Sequence, residues 1–278
     1  MPTTPTTQDT TWDPQRYLRF ERHRAQPFRD LLARIRPDGE PAPRSVVDLG
    51  CGPGNATQLL AERWPDARVL GVDSSAQMID AATARTVPGH LEFRLGDLRE
   101  LTADQLDGPA DVVITNATLQ WVPGHLDLLP ALVDLVAPGG TFALGVPGNF
   151  ESPSHTTLAE LQREPRWATR LSGLEVRPAV PEPEDYLRAL AAAGLDAEAW
   201  ETTYQYVVDG EDGVFDFVSS TALRPVLKEL GGAESEASVE FCGEYRKALR
   251  AAYPATGLGG RTVQLLPFRR IFALGRRF

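Results

Sequence analysis

The segment Gly50-Cys51-Gly52-Pro53-Gly54-Asn55 follows an apolar run, Val46-Val47-Asp48-Leu49, and precedes a helical pattern beginning at Ala56. Strand, glycine turn and helix in that order make a ligand cradle, because glycine lets the backbone approach closely and a helix start offers free N–H groups. Nicotinamide dinucleotides, nucleotide phosphates and S-adenosylmethionine all use such turns. A phosphate-binding loop would close on Gly-Lys-Ser/Thr, which this sequence lacks. The dinucleotide fingerprint is G-x-G-x-x-G, whereas here the third glycine arrives one residue early. Asp48, just before the turn, would repel a pyrophosphate and attract a cation. S-adenosylmethionine has no phosphate; it carries a carboxylate, an ammonium and a sulfonium.

More acids follow at regular stations. Asp73 ends the run "RVLGVD", about 20 residues on, where a carboxylate accepts from both ribose hydroxyls. Ser74 and Met78 follow it. Asp97 in "LGDL" suits an adenine amino group, with Leu98 packed beside the ring. Asn116 closes the fourth strand-like run, near the expected reacting centre, and is assigned to the cofactor. Any one of these acids alone could be a loop residue or a helix cap. Three of them at three successive strand ends, behind this turn, point to S-adenosylmethionine. Cys51 reads as a small residue in a tight turn, with no histidine in its motif to make it a nucleophile.

The elements that must position these residues are legible as periodicity. Trp12 to Ile35 shows helical spacing. Strand-like runs at "SVVDLG", "RVLGVD", "LEFRLGD", "DVVITNA" and "TFALGVP" alternate with helical patterns, which implies right-handed crossovers and a parallel sheet covered on both faces. After Pro147 the rhythm becomes mainly helical, broken by two late strands, "AEAWETTYQYVV" and "TVQLLPFRRIFALGRR". The expectation is an α/β fold with a mostly parallel seven-stranded sheet and a helical cap. Residues 1–11 form a disordered tail and 12–278 a single domain. Within that domain, 12–40 is a helical lid, 44–147 the cofactor-binding half and 148–278 the late strands with their cap insertions.

Composition narrows the partners. The chain has 28 basic and 38 acidic residues, a net charge of −10, and no cationic run, which argues against nucleic acid or an anionic membrane. Two cysteines and four histidines provide neither a disulfide framework nor metal-ligand spacing. "MPTTPTTQDTT" lacks the basic and apolar regions of a signal peptide. A cytoplasmic monomer or weak oligomer with a small acidic substrate is expected.

Through "VVDLGCGPGN", "GVDSS", "GDL" and "NATLQWVPGH" the sequence resembles class I S-adenosylmethionine-dependent methyltransferases, with their Rossmann-like fold. A narrower resemblance, to the trans-aconitate methyltransferase family, runs through "WDPQRYLRFERHRAQPF", "NATLQWVPGHLDLLP", "VPGNFESPSH", "WETTYQY", "STALRPVL" and "LPFRRIFALG". It implies methyl transfer from S-adenosylmethionine to one carboxylate of trans-aconitate, giving a monomethyl ester. Gln26 and Phe217 depart from the family pattern, which carries arginine and tryptophan there.

A carboxylate is ionised at neutral pH, its reference pKa being about 4, so it attacks a sulfonium methyl without a general base. No Ser-His-Asp or Cys-His pattern stands out, and no catalytic side chain is assigned. Spectator carboxylates need planar cationic clamps, a role that suits arginine. The resemblance selects Arg24 and Arg224. Of the adjacent pair Arg269-Arg270 only one faces a given side of a strand, and Arg269 is assigned to the substrate. Tyr17, His155, Tyr186 and Tyr204 are candidate donors, while Trp12 and Trp121 would wall the site. Rival readings are a methyltransferase acting on another small acid or on a hydroxyl, a nicotinamide-linked oxidoreductase, and a binding module without turnover.

Overall fold

A strand buried on both faces needs apolar residues at consecutive positions. β1 (Ser45–Leu49) and β4 (Ala110–Asn116) satisfy this with Val46, Val47, Leu49, Val112, Val113 and Ile114, all buried. The computed structural model of the protein describes residues 21–36, 40–174, 179–219 and 221–278, apart from the side chains of Glu21, Arg22 and Arg24. It opens with α1 (Glu21–Arg34). After β1 come α2 (Asn55–Arg63), β2 (Arg68–Asp73), α3 (Ala76–Thr83), β3 (Leu91–Leu95), β4, α4 (His125–Val133) and β5 (Val136–Pro147). The later elements are α5 (Pro153–Arg163), α6 (Pro165–Ala168), α7 (Pro183–Ala192), β6 (Leu195–Asp209), α8 (Gly213–Ser219), α9 (Arg224–Glu229), α10 (Glu236–Ala252), β7 (Thr256–Leu258) and β8 (Arg261–Arg277).

The sheet runs β3-β2-β1-β4-β5-β8-β6. β1 to β5 are mutually parallel and β8 is antiparallel to β5. These seven strands are the ones periodicity predicts. The eighth, β7, is a three-residue strand paired with the start of β8. Its turn carries Gly259 and Gly260 at φ 58° and 75°, the conformation a tight hairpin needs. Strand order reverses between β1 and β4, and in open α/β sheets the ligand crevice opens beyond the carboxyl ends at such a switch point.

The described residues fall into two compact units. One comprises 24–148, 180–202 and 269–278, and holds the parallel strands. The other comprises 149–179 and 203–268, with the described residues before Arg24. Its core gathers Leu158, Trp167, Phe215, Phe217, Phe241 and Tyr245. Phe217, one of the two departures from the family pattern, is thus a core ring, packed edge-on against Phe268. Gln26, the other, sits exposed on α1, donating to Asp30 Oδ1 at 2.7 Å.

A buried glutamine closes the second unit. Gln264 is 1% exposed; its Oε1 accepts from Val214 N at 2.9 Å and its Nε2 donates to the Tyr253 carbonyl at 2.5 Å. Gln264→Leu would strand both backbone groups. Urea denaturation should show a loss of roughly 2–4 kcal/mol, two unsatisfied buried groups at about 1–3 kcal/mol each less the gain from added apolar burial. An unchanged midpoint would contradict this role.

Candidate active site

The turn after β1 is shaped by φ values of 77° at Gly50, 54° at Gly52 and 82° at Gly54, all left-handed. Two of the glycines are also fixed by crowding. A Cβ at Gly50 would lie 2.2 Å from Thr118 Cγ2, and one at Gly54 would lie 2.7 Å from Phe93 Cζ. Gly52 meets nothing within 4 Å, so its surface stays open. Gly50 N and Cys51 N both donate to the Val72 carbonyl, at 2.7 and 3.0 Å, which fastens the turn to β2. Thr118, just past β4, donates from Oγ1 to the Gly50 carbonyl at 3.1 Å.

Asp73 sits at the end of β2 and organises the same turn. Its Oδ2 accepts from Gly52 N at 2.8 Å and its Oδ1 from Ser75 N at 2.9 Å. A carboxylate has about four lone-pair sites, so two remain for a ribose diol. Asp48 is 2% exposed and receives a hydrogen bond from Thr57 Oγ1 at 2.7 Å. Burial pushes its carboxyl up to about 6, Thr57 opposes this, and the charge of Asp73 adds to it. Thr57, in the first turn of α2, escaped the sequence reading because a threonine in a helix carries no signal by itself. Burial also pushes the Cys51 thiol up, which leaves it inert.

The remaining cofactor candidates occupy the same edge with different degrees of freedom. Asn55 opens α2 after Gly54, Ser74 is exposed, and Met78 lies exposed in the first turn of α3 behind the Ser75 cap. Asp97 follows β3 with half-buried Leu98 beside it. Its carboxylate is already engaged by Arg99, whose Nε donates to both oxygens at 3.0 and 3.1 Å. These hydrogen bonds hold the Asp97 carboxyl below its ordinary range. An adenine amino group would therefore share this acid with Arg99, a competitor two residues away that the motif did not expose.

The acceptor candidates divide. Asn116, expected at the cofactor, ends β4 half-buried, and its Oδ1 receives Arg270 Nη2 at 2.7 Å. Trp121, in the short 3-10 turn after β4, is 59% exposed. Arg269, the residue assigned to the substrate, is instead held by Glu182 and Glu201, its Nε donating to Glu201 at 2.8 Å and its Nη1 to Glu182 at 3.1 Å. Alternation along β8 turns Arg270 to the opposite face, and Arg270 is the buried one at 6% exposure. Tyr186 is also displaced from the expected set. It is fully buried with its hydroxyl 2.7 Å from His125 Nε2. His125 Nδ1 lies 3.1 Å from the Val122 carbonyl, which only accepts. Burial holds this imidazole below its ordinary pKa, so the neutral ring carries its proton on Nδ1 and Tyr186 donates to Nε2.

In the second unit, His155 is half-buried at the start of α5, 3.2 Å from Ser154 Oγ. It lines a cavity of about 330 Å³ with Phe150, Leu158, Pro225 and Val226. Arg224 is exposed as the first residue of α9, and Tyr204 is half-buried on β6. Trp12 and Tyr17 lie outside the described residues, and Arg24 is described only as a backbone position of α1.

Residues 46–140 match the model of a methyltransferase domain. Solved structures share the fold. Geranyl diphosphate C-methyltransferase from Streptomyces coelicolor superposes with a TM-score of 0.52 at 16% identity, covering 99% of this chain and 88% of that one. Phosphoethanolamine N-methyltransferase 2 from Haemonchus contortus gives 0.53 at 14% identity, covering 91% and 53%. With the glycine turn, the acids at successive strand ends and the switch point, these define a class I S-adenosylmethionine-dependent methyltransferase. Relatives called trans-aconitate 2-methyltransferase are 52% identical in Streptomyces avermitilis, over 96% of this chain and 97% of the relative, and 41% in Methylobacterium nodulans, over 96% and 98%. The chain belongs to the trans-aconitate 2-methyltransferase family.

Two outcomes test this geometry. Because the folded Asp48 carboxyl is raised to about 6 from an ordinary value near 4, the ligand-free protein takes up a proton as pH falls through 6. The fold then gains stability, since the penalty for burying the ionised form is present only at higher pH. With Asp48 in the expected cofactor-binding role, its attraction for a cation should be lost over the same range. Calorimetry should show S-adenosylmethionine affinity weakening between pH 7 and 5 by up to about tenfold per unit below the pKa, with Asp48→Asn weak and flat. An equally steep profile in the variant would contradict the assignment. Tyr186→Phe should lower the melting temperature through an unpaired His125 Nε2 while leaving KM for the acceptor unchanged; a raised KM with unchanged stability would return Tyr186 to the substrate site.

Proposed function

We propose that this protein transfers the sulfonium methyl group of S-adenosylmethionine to one carboxylate of trans-aconitate or a closely similar polycarboxylate. A carboxylate oxygen forms the new C–O bond as the C–S bond breaks and its electron pair returns to sulfur. The products are a monomethyl ester and S-adenosylhomocysteine, and no proton moves. Rate acceleration comes from holding oxygen, carbon and sulfur in line and from removing water from the nucleophile.

The observation that carries this reading is how the histidines of the cofactor-binding unit are used. His125 Nε2 is taken by Tyr186, and His90 Nδ1 lies 2.7 Å from the Ala67 carbonyl, just before β3 and so at the amino edge of the sheet. A hydroxyl acceptor needs a base at the carboxyl edge, and neither ring supplies one. An ionised acid needs none. The names of the relatives, at 40–52% identity over nearly the full chain, supply the particular acid.

Incubation with methyl-labelled S-adenosylmethionine and a panel of di- and tricarboxylates tests the proposal. Label should appear in a base-labile ester, fastest with trans-aconitate, and kcat at saturating cofactor should stay level from pH 8 to 6. Label in an alkali-stable ether alone, with a rate climbing as pH rises, would contradict it.

A further inference from the structure

Asn116, Gly145 and Phe272 lie side by side across β4, β5 and β8, and Pro147 faces Arg270 two residues further along. Alternation puts Gly145, Pro147 and Arg270 on one face of the sheet. Because Gly145 has no side chain, a diagonal is open along which Arg270 Nη2 reaches Asn116 Oδ1 at 2.7 Å. A methyl group on Gly145 would lie 2.9 Å from that oxygen and 3.2 Å from Phe272 Cδ1. A guanidinium has only donors, so the amide oxygen must face it and the Asn116 NH2 must turn away. Among the described residues, Asp48 and Arg270 are the buried carboxylate and the buried guanidinium. Asp48 belongs to the strand that feeds the glycine turn; Arg270 addresses the end of β4.

An arginine and an amide whose oxygen it holds, leaving the NH2 for another partner, form a set of donors. Such a set matches an anion and offers nothing to an ammonium or sulfonium. We propose that Arg270 and Asn116 receive a spectator carboxylate of the methyl acceptor, Arg270 also fixing the orientation of the amide. This reassigns Asn116 from cofactor to acceptor, and it rests on the carboxylate-acceptor reading above. The spectator, and not the attacking carboxylate, is the group held. Donors on the attacking oxygen would stabilise charge that disappears in the transition state, whereas charge on a spectator persists and is bound equally throughout.

That distinction sets the readout. Loss of uniform binding raises KM and leaves kcat in place. Arg270→Gln should raise KM for trans-aconitate roughly 10- to 100-fold, as for loss of a charge-assisted hydrogen bond, with kcat and the dissociation constant of S-adenosylmethionine each within about threefold. Arg270→Lys should recover part of the loss. Asn116→Asp is the decisive variant, because it still accepts from Arg270 but replaces that NH2 with an acceptor. It should raise KM at least as far in a protein whose melting temperature is kept, and it decides the matter if Arg270→Gln does not fold. KM within threefold of the parent in Asn116→Asp would overturn the proposal, as would a fall in kcat at constant KM or an equal loss of cofactor affinity. A parent protein that methylates no acid would overturn the functional reading as well. A parent that methylates trans-aconitate while the variants do so with KM within threefold of the parent would overturn this inference alone.

Discussion

How closely the Gly50–Gly54 turn approaches the end of β4 is the constraint on which the working edge depends. A single added methyl group at Gly50 would stand 2.2 Å from the Thr118 side chain, so the turn and the β4 terminus must meet backbone to side chain. The order β2-β1-β4-β5 forces them together, and the two hydrogen bonds to the Val72 carbonyl hold the turn there. Asp73 then uses one lone pair on each oxygen to bind the turn and the start of α3. Asp73, the expected ribose ligand, is therefore also part of the scaffold that holds the turn.

The electrostatics of the edge follow from burial. Asp48 keeps a carboxyl where water is excluded, which disfavours its ionised form and which a cation held beside it would offset. Arg270 keeps a guanidinium buried on β8 and aimed at Asn116. The cofactor is a cation and the acceptor is an anion, and the two buried charges have the complementary signs. Methyl transfer between them neutralises the sulfonium and the attacking carboxylate while the spectator carboxylates keep their charge, so the site needs placement and dryness more than proton shuttling.

Much of this was legible in the sequence, because strand periodicity, glycine spacing and acids at strand ends are local signals. β1 to β5 fall on the runs that announce them, and the two late strands complete the seven-strand path. What escaped depends on register and packing. Alternation says that Arg269 and Arg270 face opposite ways, but only the pairing of Pro147 with Arg270 decides which one reaches Asn116. Arg269 looked free because Glu182 and Glu201 are 87 and 68 residues away in the chain. Tyr186 looked like a donor, yet its partner His125 sits on a different helix and consumes the hydroxyl. Phe217 marks a departure from the family pattern that lands in a core, and Gln26 one that lands in an exposed helix turn.

The most direct test of anion recognition beside a bound cofactor is a calorimetric titration of trans-aconitate into protein saturated with S-adenosylhomocysteine. Saturable one-to-one binding whose affinity falls as salt is raised is the predicted result. Absence of saturable binding by trans-aconitate or any related polycarboxylate would contradict it.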